Sequence, residues 1–259
     1  MKTPDIDATI GRRLLVNYRA DPDVVARLLP SPLRPQLVRG QAVVGICMIR
    51  QRVRPAGWPA VLGIGSQSAA HRIAVAWDGP DGERTGVFIP RRDTNGPANV
   101  LVGGRLFPGS HHPARFLVDE HDDTVHLAYA TKDGSTRVSV AATILPVERP
   151  LTGKLFADLA EASAFFRGGS LGLSPTRRGD ELEGVELRCD AWSMEPVSLG
   201  NVTSTYFGDP KRFPAGSIAL DHGLVMRELP VRWHAVGRLA TAVGSAPALR
   251  TPAPTLVAR

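Results

Sequence analysis

Hydrophobic and polar residues alternate along much of this chain, in runs short enough to be β-strands. HRIAVAW, at residues 71–77, alternates cleanly, and the turn sequence DGPDGE separates it from a returning run at 84–89. Three further runs, at 115–118, 124–130 and 137–143, are separated by the turn sequences EHDD and KDGS. Period-two alternation broken by such turns predicts a meander of antiparallel strands.

Further strands are predicted at 14–18, 42–53, 183–192, 217–225 and 229–235. In a half-buried strand, alternate side chains share one face, so one apolar set should point to the core. The residues that we expect to be mostly buried are Val44, Ile46, Ile73, Val75, Val87, Ile89, Val138 and Val140.

Helices are predicted at only three places. Asp21 followed by Pro22 is typical of a helix start, and VVARLL completes a short helix. A longer amphipathic helix is expected over 153–167, ended by Gly168 and Gly169, and a third, short helix at 97–101. The pattern therefore predicts a mainly β fold, closed or sandwiched, with a few short helices outside the sheet. Residues 1–242 should form one domain, followed by a loose Pro/Ala-rich tail at 243–259.

Composition narrows the function classes. The chain has 259 residues, of which 43% are hydrophobic, and a net charge of +6 that arises mainly from arginine. No long basic run and no basic-aromatic interleaving is present, so nucleic acid is not an expected partner. No apolar run approaches the roughly 18 residues of a membrane span, and no signal peptide is recognised at the N-terminus. Two distant cysteines, Cys47 and Cys189, favour free thiols in a reducing compartment, so we expect a cytoplasmic protein.

One segment, residues 84–116, concentrates polar chemistry on connections between strands. Its apolar run ends at a proline and leads into Arg91, Arg92 and Asp93, and a later Gly/Pro-rich turn carries His111 and His112. Arginine and aspartate are rarely buried unless they are paired. Loops on a rigid scaffold commonly carry binding and catalytic groups. The segment therefore predicts a site for a small anionic ligand.

Each of these residues has a structural interpretation beside the functional one. If Arg91 and Arg92 lie on an extended strand, they point to opposite faces, so at most one enters a cavity. That one either clamps a carboxylate or enolate oxygen, or pairs internally with Asp93. His111 or His112 either moves a proton or is a surface or capping residue.

Histidine 71 is the third candidate acid or base. His71 either points inward from the start of its strand or sits at the rim of the fold. Asp221-His222 would suit an orienting pair, although a turn at a strand edge explains it equally well. A metal site built from His71, Asp93 and His111 lacks local ligand spacing, so no metal is predicted. No nucleotide-binding motif follows a predicted strand, so no cofactor is expected either.

Several segments together resemble a known family. They are RLLPSPLRPQLVRGQAVVGICMIR, HRIAVAWD, GVFIPRRDT and GGRLFPGSHHPARF. The chain resembles the DUF2071 family, whose fold belongs to the acetoacetate decarboxylase-like superfamily, over roughly residues 10–240. The resemblance implies a closed, cone-like, mostly antiparallel β-barrel with an internal cavity.

The resemblance also implies where chemistry would take place. In true acetoacetate decarboxylases a lysine forms a Schiff base with the keto acid, just after a Gly-Arg-Glu motif and a Gly/Pro turn. Here the matching place holds Gly104, Arg105 and Leu106, and its turn carries His111 and His112 without any lysine. Gln67 stands where we would look for a glutamate. This departure argues against iminium chemistry, because a Schiff-base lysine must be partly desolvated.

The sequence thus predicts an enzyme that acts on a small oxo-acid or enolisable metabolite without a Schiff-base lysine. His71, His111 and His112 are the candidate catalytic residues. The candidate substrate-binding residues are Gln67, Arg72, Arg91, Arg92, Asp93 and Arg105. A non-catalytic small-molecule-binding protein is the alternative, and a structural domain with a filled core is a third interpretation. Self-association into a homo-oligomer is left open.

Overall fold

The structure of the protein is a computed structural model, and it describes residues 6–59, 62–96, 109–176 and 178–241. In these residues the fold is mainly β, with thirteen strands in one sheet and two helices. The strands are β1 (Ile6–Ala20), β2 (Arg34–Pro35), β3 (Leu37–Val38), β4 (Gln41–Pro55), β5 (Ile64–Gly79), β6 (Gly82–Thr94), β7 (His111–His121), β8 (Thr124–Thr131), β9 (Arg137–Ile144), β10 (Leu171–Pro175), β11 (Glu181–Arg188), β12 (Glu195–Ser204) and β13 (Ile218–Ala240). The helices are α1 (Pro22–Ala26) and α2 (Leu159–Gly168).

The strand pairings return to their starting point. From β13 they run through β1, β4, β5, β6, β10 and β11, and β11 pairs with β13 again. Strands β7, β8, β9 and β12 form a second path from β6 to β13. The closed, cone-like barrel stays a prediction. Two pairings, β6 with β7 and β6 with β10, are parallel, whereas the alternation pattern predicted antiparallel neighbours.

Both faces of the central strands are buried, because each face carries its own core. The first core packs against residues from nearly every strand, among them Leu14, Ile46 and Leu127. The second core lies beneath α2, where Phe166 meets residues such as Leu15. We call the sheet side under α2 the helix-covered face and the other side the opposite face.

The predicted apolar set is buried as expected, except for Val87. Val87 is partly exposed, whereas its neighbours Phe88 and Ile89 are buried. The pairing of β5 with β6 shifts register between His71 and Ile73, so strict alternation does not hold along β6. The helix ends also follow the prediction in part. Asp21 caps α1 by accepting hydrogen bonds from the backbone N–H groups of Asp23 and Val24.

The longer helix begins later than predicted, at Leu159 instead of Gly153. The carboxylate of Asp221 accepts hydrogen bonds from the backbone N–H groups of Lys154 and Leu155, which holds this segment out of a helix. Asp158 then caps α2 by accepting from the N–H of Glu161, at 2.8 Å. The helix ends at Gly168, with Gly169 as its C-cap, as the sequence predicts.

The strand prediction needs further corrections. β2, β3, β10 and β12 were not predicted, the two strands expected at 217–225 and 229–235 form the single strand β13, and β5 begins at Ile64. The predicted helix at 97–101 and the tail at 243–259 lie outside the described residues. In the part of the chain that the structure describes, no helix is long and apolar enough to cross a membrane.

Gly45 allows β1 and β4 to approach closely near Asn17. A Cβ built on Gly45 would lie 2.5 Å from the carbonyl oxygen of Val16. We therefore expect Gly45→Ala to lower the free energy of unfolding by about 1–3 kcal/mol, because the clash is with backbone. Urea unfolding measures the change. Gly237→Ala on β13 is the matched control, since its Cβ would meet no atom within 4 Å. Equal stabilities of the two variants would contradict this expectation.

Candidate functional site

Strands β5, β6 and β7 bring the predicted site segments side by side. Across β5 and β6, Ala70 pairs with Arg92 and His71 with Arg91. Across β6 and β7, Arg92 pairs with His111 and Asp93 with His112. Because consecutive strand residues point to opposite faces, this arrangement divides the predicted residues into two groups.

The helix-covered face receives Arg92 and His111. Both line a cavity of about 40 Å³, together with Cys47, Ile49, Gln51, Ser68, Ala69, Ala70 and Trp233. Arg92 Nη2 donates a hydrogen bond to Ser174 Oγ at 3.4 Å. Burial lowers the pKa of Arg92 to about 10, so its guanidinium remains charged at neutral pH. The cavity therefore has a cation and an imidazole in its wall.

Arg72 lies on the same face, closer to α2. Its Nη2 donates to Asn17 Oδ1, and its guanidinium carbon stands 4.7 Å from the centre of the Phe166 ring. The residue is only 5% exposed, and its Nε has no hydrogen-bond partner. Burial lowers its pKa to about 10, and the nearby charge of Arg13 contributes to this lowering.

Positive charge on this face is only weakly compensated. Among the described residues, no carboxylate lies within 4.0 Å of Arg13 or Arg72. Arg13 instead donates to the sulfur of Met226 at 3.4 Å, and its guanidinium carbon stands 5.6 Å from the Trp192 ring. Isolated buried charge is costly, and it is normally compensated by a counter-charge. Among the described residues, the guanidinium groups of Arg13 and Arg72 therefore lack a directly paired carboxylate.

The opposite face carries Asp93, whose side chain is fully buried. Asp93 accepts one hydrogen bond from Arg91 Nε at 2.8 Å and one from Tyr129 Oη at 3.1 Å. Burial raises the pKa of Asp93 to about 6, although Arg91 and Tyr129 act against this rise. Arg91 is therefore the arginine that pairs internally, and Arg92 is the one that reaches the cavity.

His71 is enclosed on the same opposite face. Its Nδ1 lies 3.9 Å from Asp93 Oδ2, and its ring stacks on Tyr206 with centroids 4.1 Å apart. It lies in the middle of β5 and is fully buried, so the expectation that it begins its strand is wrong. Burial holds the pKa of His71 well below its usual value, and the nearby charge of Arg91 lowers this pKa further. The imidazole is therefore neutral.

The other predicted residues lie around these two groups. His112 is partly buried near Arg91, and burial lowers its pKa. His111 and His112 begin β7 instead of lying on a Gly/Pro turn, because they pair with β6. Gln67 lines a separate pocket of about 500 Å³ and accepts a hydrogen bond from Arg12 at 2.9 Å. Arg105 lies outside the described residues.

Sequence reasoning missed several members of the helix-covered face. Arg13, Asn17 and Cys47 lie inside apolar strand sequences, where each would be taken for a rim or core residue. One available signal was Arg12-Arg13 directly before the apolar run LLV, because a charged pair within a buried strand needs a partner.

The Asp221-His222 pair does form in the structure. His222 Nδ1 lies 2.8 Å from Asp221 Oδ2, and the two side chains are fully buried. Asp221 also accepts hydrogen bonds from the backbone of the segment before α2. The pair therefore connects β13 to the segment that leads into the helix over the second core. Among the residues with described positions, no group of three or more His, Cys, Asp or Glu side chains is placed to hold a metal ion.

Family comparison identifies the class of protein. The model of the DUF2071 family, described as an uncharacterised conserved protein, matches residues 7–172. The chain belongs to this family. No curated protein sequence matches it.

Solved structures show the same fold. An acetoacetate decarboxylase-like enzyme from Sphingomonas wittichii RW1 superposes with a TM-score of 0.57 at 15% identity, covering 92% of this chain and 94% of that one. Acetoacetate decarboxylase from Legionella pneumophila gives 0.52 at 13% identity, covering 90% and 87%. The enduracididine biosynthesis enzyme MppR, complexed with pyruvate, gives 0.51 at 14% identity, covering 93% and 91%. The fold is therefore acetoacetate decarboxylase-like.

The buried Asp93 makes stability depend on pH in a defined direction. Its pKa in the folded protein, about 6, lies above its ordinary value, so the folded state prefers the protonated acid. Its contribution to stability is therefore present at low pH and is lost as the pH rises towards 6. We expect Asp93→Asn to gain about 1–3 kcal/mol in unfolding free energy over wild type between about pH 4 and about pH 7.

Urea unfolding of both proteins across this range measures the difference. Asp119→Asn, at an exposed position on β7, is the control and should follow wild type at every pH. A constant difference between Asp93→Asn and wild type would show that Asp93 does not titrate in this window.

Proposed function

We propose that this protein is an enzyme that binds a small oxo-acid or enolisable metabolite on the helix-covered face and transfers a proton on it. Arg72 and Arg92 bind the acid group, and His111 is the acid or base. The observation that carries the proposal is the burial of Arg72 without any carboxylate partner in the described residues, on the face that holds Arg92 and His111.

The energetics of Arg72 favour an anionic ligand. A buried charge without a counter-charge destabilises a protein by several kcal/mol, on the order of 3–5. Asn17 offers one oxygen to the guanidinium, and the described part of the chain supplies no acceptor for Nε. A carboxylate has two oxygens in the fork geometry that guanidinium matches, so a bound acid would compensate both the charge and the missing bond.

The same residues supply a route for proton transfer to and from the bound acid. An oxo-acid loses a proton from the carbon next to its carbonyl, and the electron pair moves onto the carbonyl oxygen. Arg92 would stabilise the resulting enolate oxygen, and His111 would accept the proton and return it. This route needs no lysine.

The positions of the lysines are consistent with that route. Lys132, Lys154 and Lys211 are all exposed, and Lys2 lies outside the described residues. An exposed lysine keeps its proton at neutral pH and is a poor nucleophile. Among the fold relatives, MppR has been solved with pyruvate, which is the ligand class proposed here. The described walls of the cavity enclose only about 40 Å³, which favours a ligand of few atoms.

Ligand binding can be tested with pyruvate. We expect Arg72→Lys and Arg92→Lys to weaken pyruvate binding by roughly tenfold to a hundredfold, since each loses a two-pronged hydrogen bond while charge is kept. Isothermal titration calorimetry measures the dissociation constants. The control is Arg115→Lys, an exposed arginine on β7 that should bind as wild type does. Unchanged binding in both Arg72→Lys and Arg92→Lys would refute the assignment of the two arginines.

Catalysis can be separated from binding by following hydrogen exchange into pyruvate. In deuterated water, wild type should exchange the methyl protons of pyruvate, read as loss of the methyl signal by proton NMR. We expect His111→Gln to keep the binding affinity and to slow this exchange by about a hundredfold, because the base is lost. His126→Gln, at an exposed position on β8, is the control.

The outcomes distinguish the competing functions. Binding without exchange in wild type would favour the non-catalytic binding protein. Exchange that persists in His111→Gln would remove His111 from the mechanism. A pyruvate adduct on a lysine, trapped with borohydride and found by intact mass, would overturn the lysine-independent route.

A further inference from the structure

The contact that places Arg92 beside His111 is short. The parallel pairing of β6 with β7 comprises three residue pairs, Arg92–Thr94 with His111–Pro113. β6 ends at Thr94 and β7 starts at His111, so the pairing lies at the ends of both strands. Among the described residues only these three pairs join β6 to β7, and strand ends open more readily than strand centres.

Asp93 braces this junction from the opposite face. Its carboxylate accepts from Arg91 on β6 and from Tyr129 on β8, and β7 lies between these two strands in the sheet. Arg91 also donates to Ser135 Oγ at 2.9 Å, in the turn after β8. The ionised carboxylate therefore connects β6 to β8 across the first residues of β7.

Charged and titratable groups face Asp93 from several elements. His71 on β5 stands 3.9 Å away, and Arg212 packs on the Tyr206 ring that covers His71, at 4.2 Å. Asp133, in the same turn as Ser135, and His112 on β7 lie on the Arg91 side. Of the side chains around Asp93, Arg91 and Tyr129 donate hydrogen bonds to its carboxylate. The ring nitrogens of His71 form no hydrogen bond within the described part of the chain.

We propose that Asp93 is a positioning residue that regulates the site by its charge: ionised, it holds the β6–β7 junction so that Arg92 and His111 share one cavity, and protonated, it releases them. The proposal rests on the proposed function, because it assigns a role to Asp93 only through Arg92 and His111. A neutral carboxyl binds Arg91 more weakly than a carboxylate does, because protonation removes the attraction between the two opposite charges.

Ionised Asp93 has opposite effects on the local junction and on the stability of the whole fold. Burial of the carboxylate disfavours its charged form, so ionised Asp93 lowers global stability at neutral pH. A side chain that strengthens a local contact while it weakens the whole fold is typical of functional sites. Asp93→Asn removes the charge with little change in shape, and the expected gain in stability means that the variant should fold.

The junction can be observed directly, without any ligand. Hydrogen–deuterium exchange read by mass spectrometry, corrected for intrinsic rates, reports opening of the segment 109–118. We expect wild type to exchange there at least threefold faster at about pH 5 than at about pH 7.5, since protonation weakens the brace. Asp93→Asn should exchange fast at both values. Asp119→Asn, an exposed change on the same strand, should behave as wild type does.

Pyruvate affinity gives a second readout. The direction in which it changes with pH differs between protonation of Asp93 and protonation of His111. Protonation of His111 would add positive charge and tighten anion binding at low pH, whereas release of the junction would weaken it. We therefore expect the His111→Gln protein to bind pyruvate at least threefold more weakly at about pH 5 than at about pH 7.5. The Asp93→Asn/His111→Gln protein should bind with the same affinity at both.

The outcomes test the positioning role of Asp93 separately from the proposed function. Slow, pH-independent exchange of segment 109–118 in Asp93→Asn would overturn the positioning role, as would retained pH dependence of pyruvate binding in the double variant. Failure of wild type to bind pyruvate at any pH would refute the proposed function alone, because exchange of the junction is measured without ligand.

Discussion

Three residue pairs between β6 and β7 set which polar side chains share a face of the sheet. The parallel register places Arg92 against His111 and Asp93 against His112. If β7 shifted by one residue against β6, the side chains of β7 would exchange faces, since strand side chains alternate. His112 would then take the place of His111 on the face of Arg92, and His111 would lie on the face of Asp93. The chemistry of both faces thus depends on one short contact.

The burial of charged side chains is the second constraint, and their partners differ between the two faces. On the opposite face, Arg91 and Asp93 neutralise each other, and Tyr129 satisfies the second carboxylate oxygen. On the helix-covered face, Arg72 and Arg13 are held by an amide oxygen, a thioether and aromatic rings. Aromatic contacts offset part of the cost of burying a cation, but they do not supply a counter-charge. In the described residues, the two faces therefore differ in whether a buried arginine has a carboxylate as its direct partner.

The elements of the fold could be predicted wherever local signals were strong. The meander from β7 to β9 followed from alternation and turns, and the start of α1 followed from Asp21 and Pro22. The early part of the predicted helix at 153–167 was wrong because a distant carboxylate, Asp221, binds its backbone. Val87 was misassigned because the pairing of β5 with β6 shifts register between His71 and Ile73, and alternation along the sequence does not record such a shift.

The sequence by itself determined the strand-rich class, the absence of a lysine beside the histidine pair, and the segment where the polar chemistry gathers. These properties follow from side-chain identity and short-range periodicity, which act within a few residues. Only the tertiary structure decided that Arg92 and His111 share one face with Arg72 and Arg13, while Arg91, Asp93 and His71 share the other. That division depends on register, on parallel pairing and on which helix covers the sheet. Each arises from contacts between residues far apart in the chain, so local patterns cannot specify them.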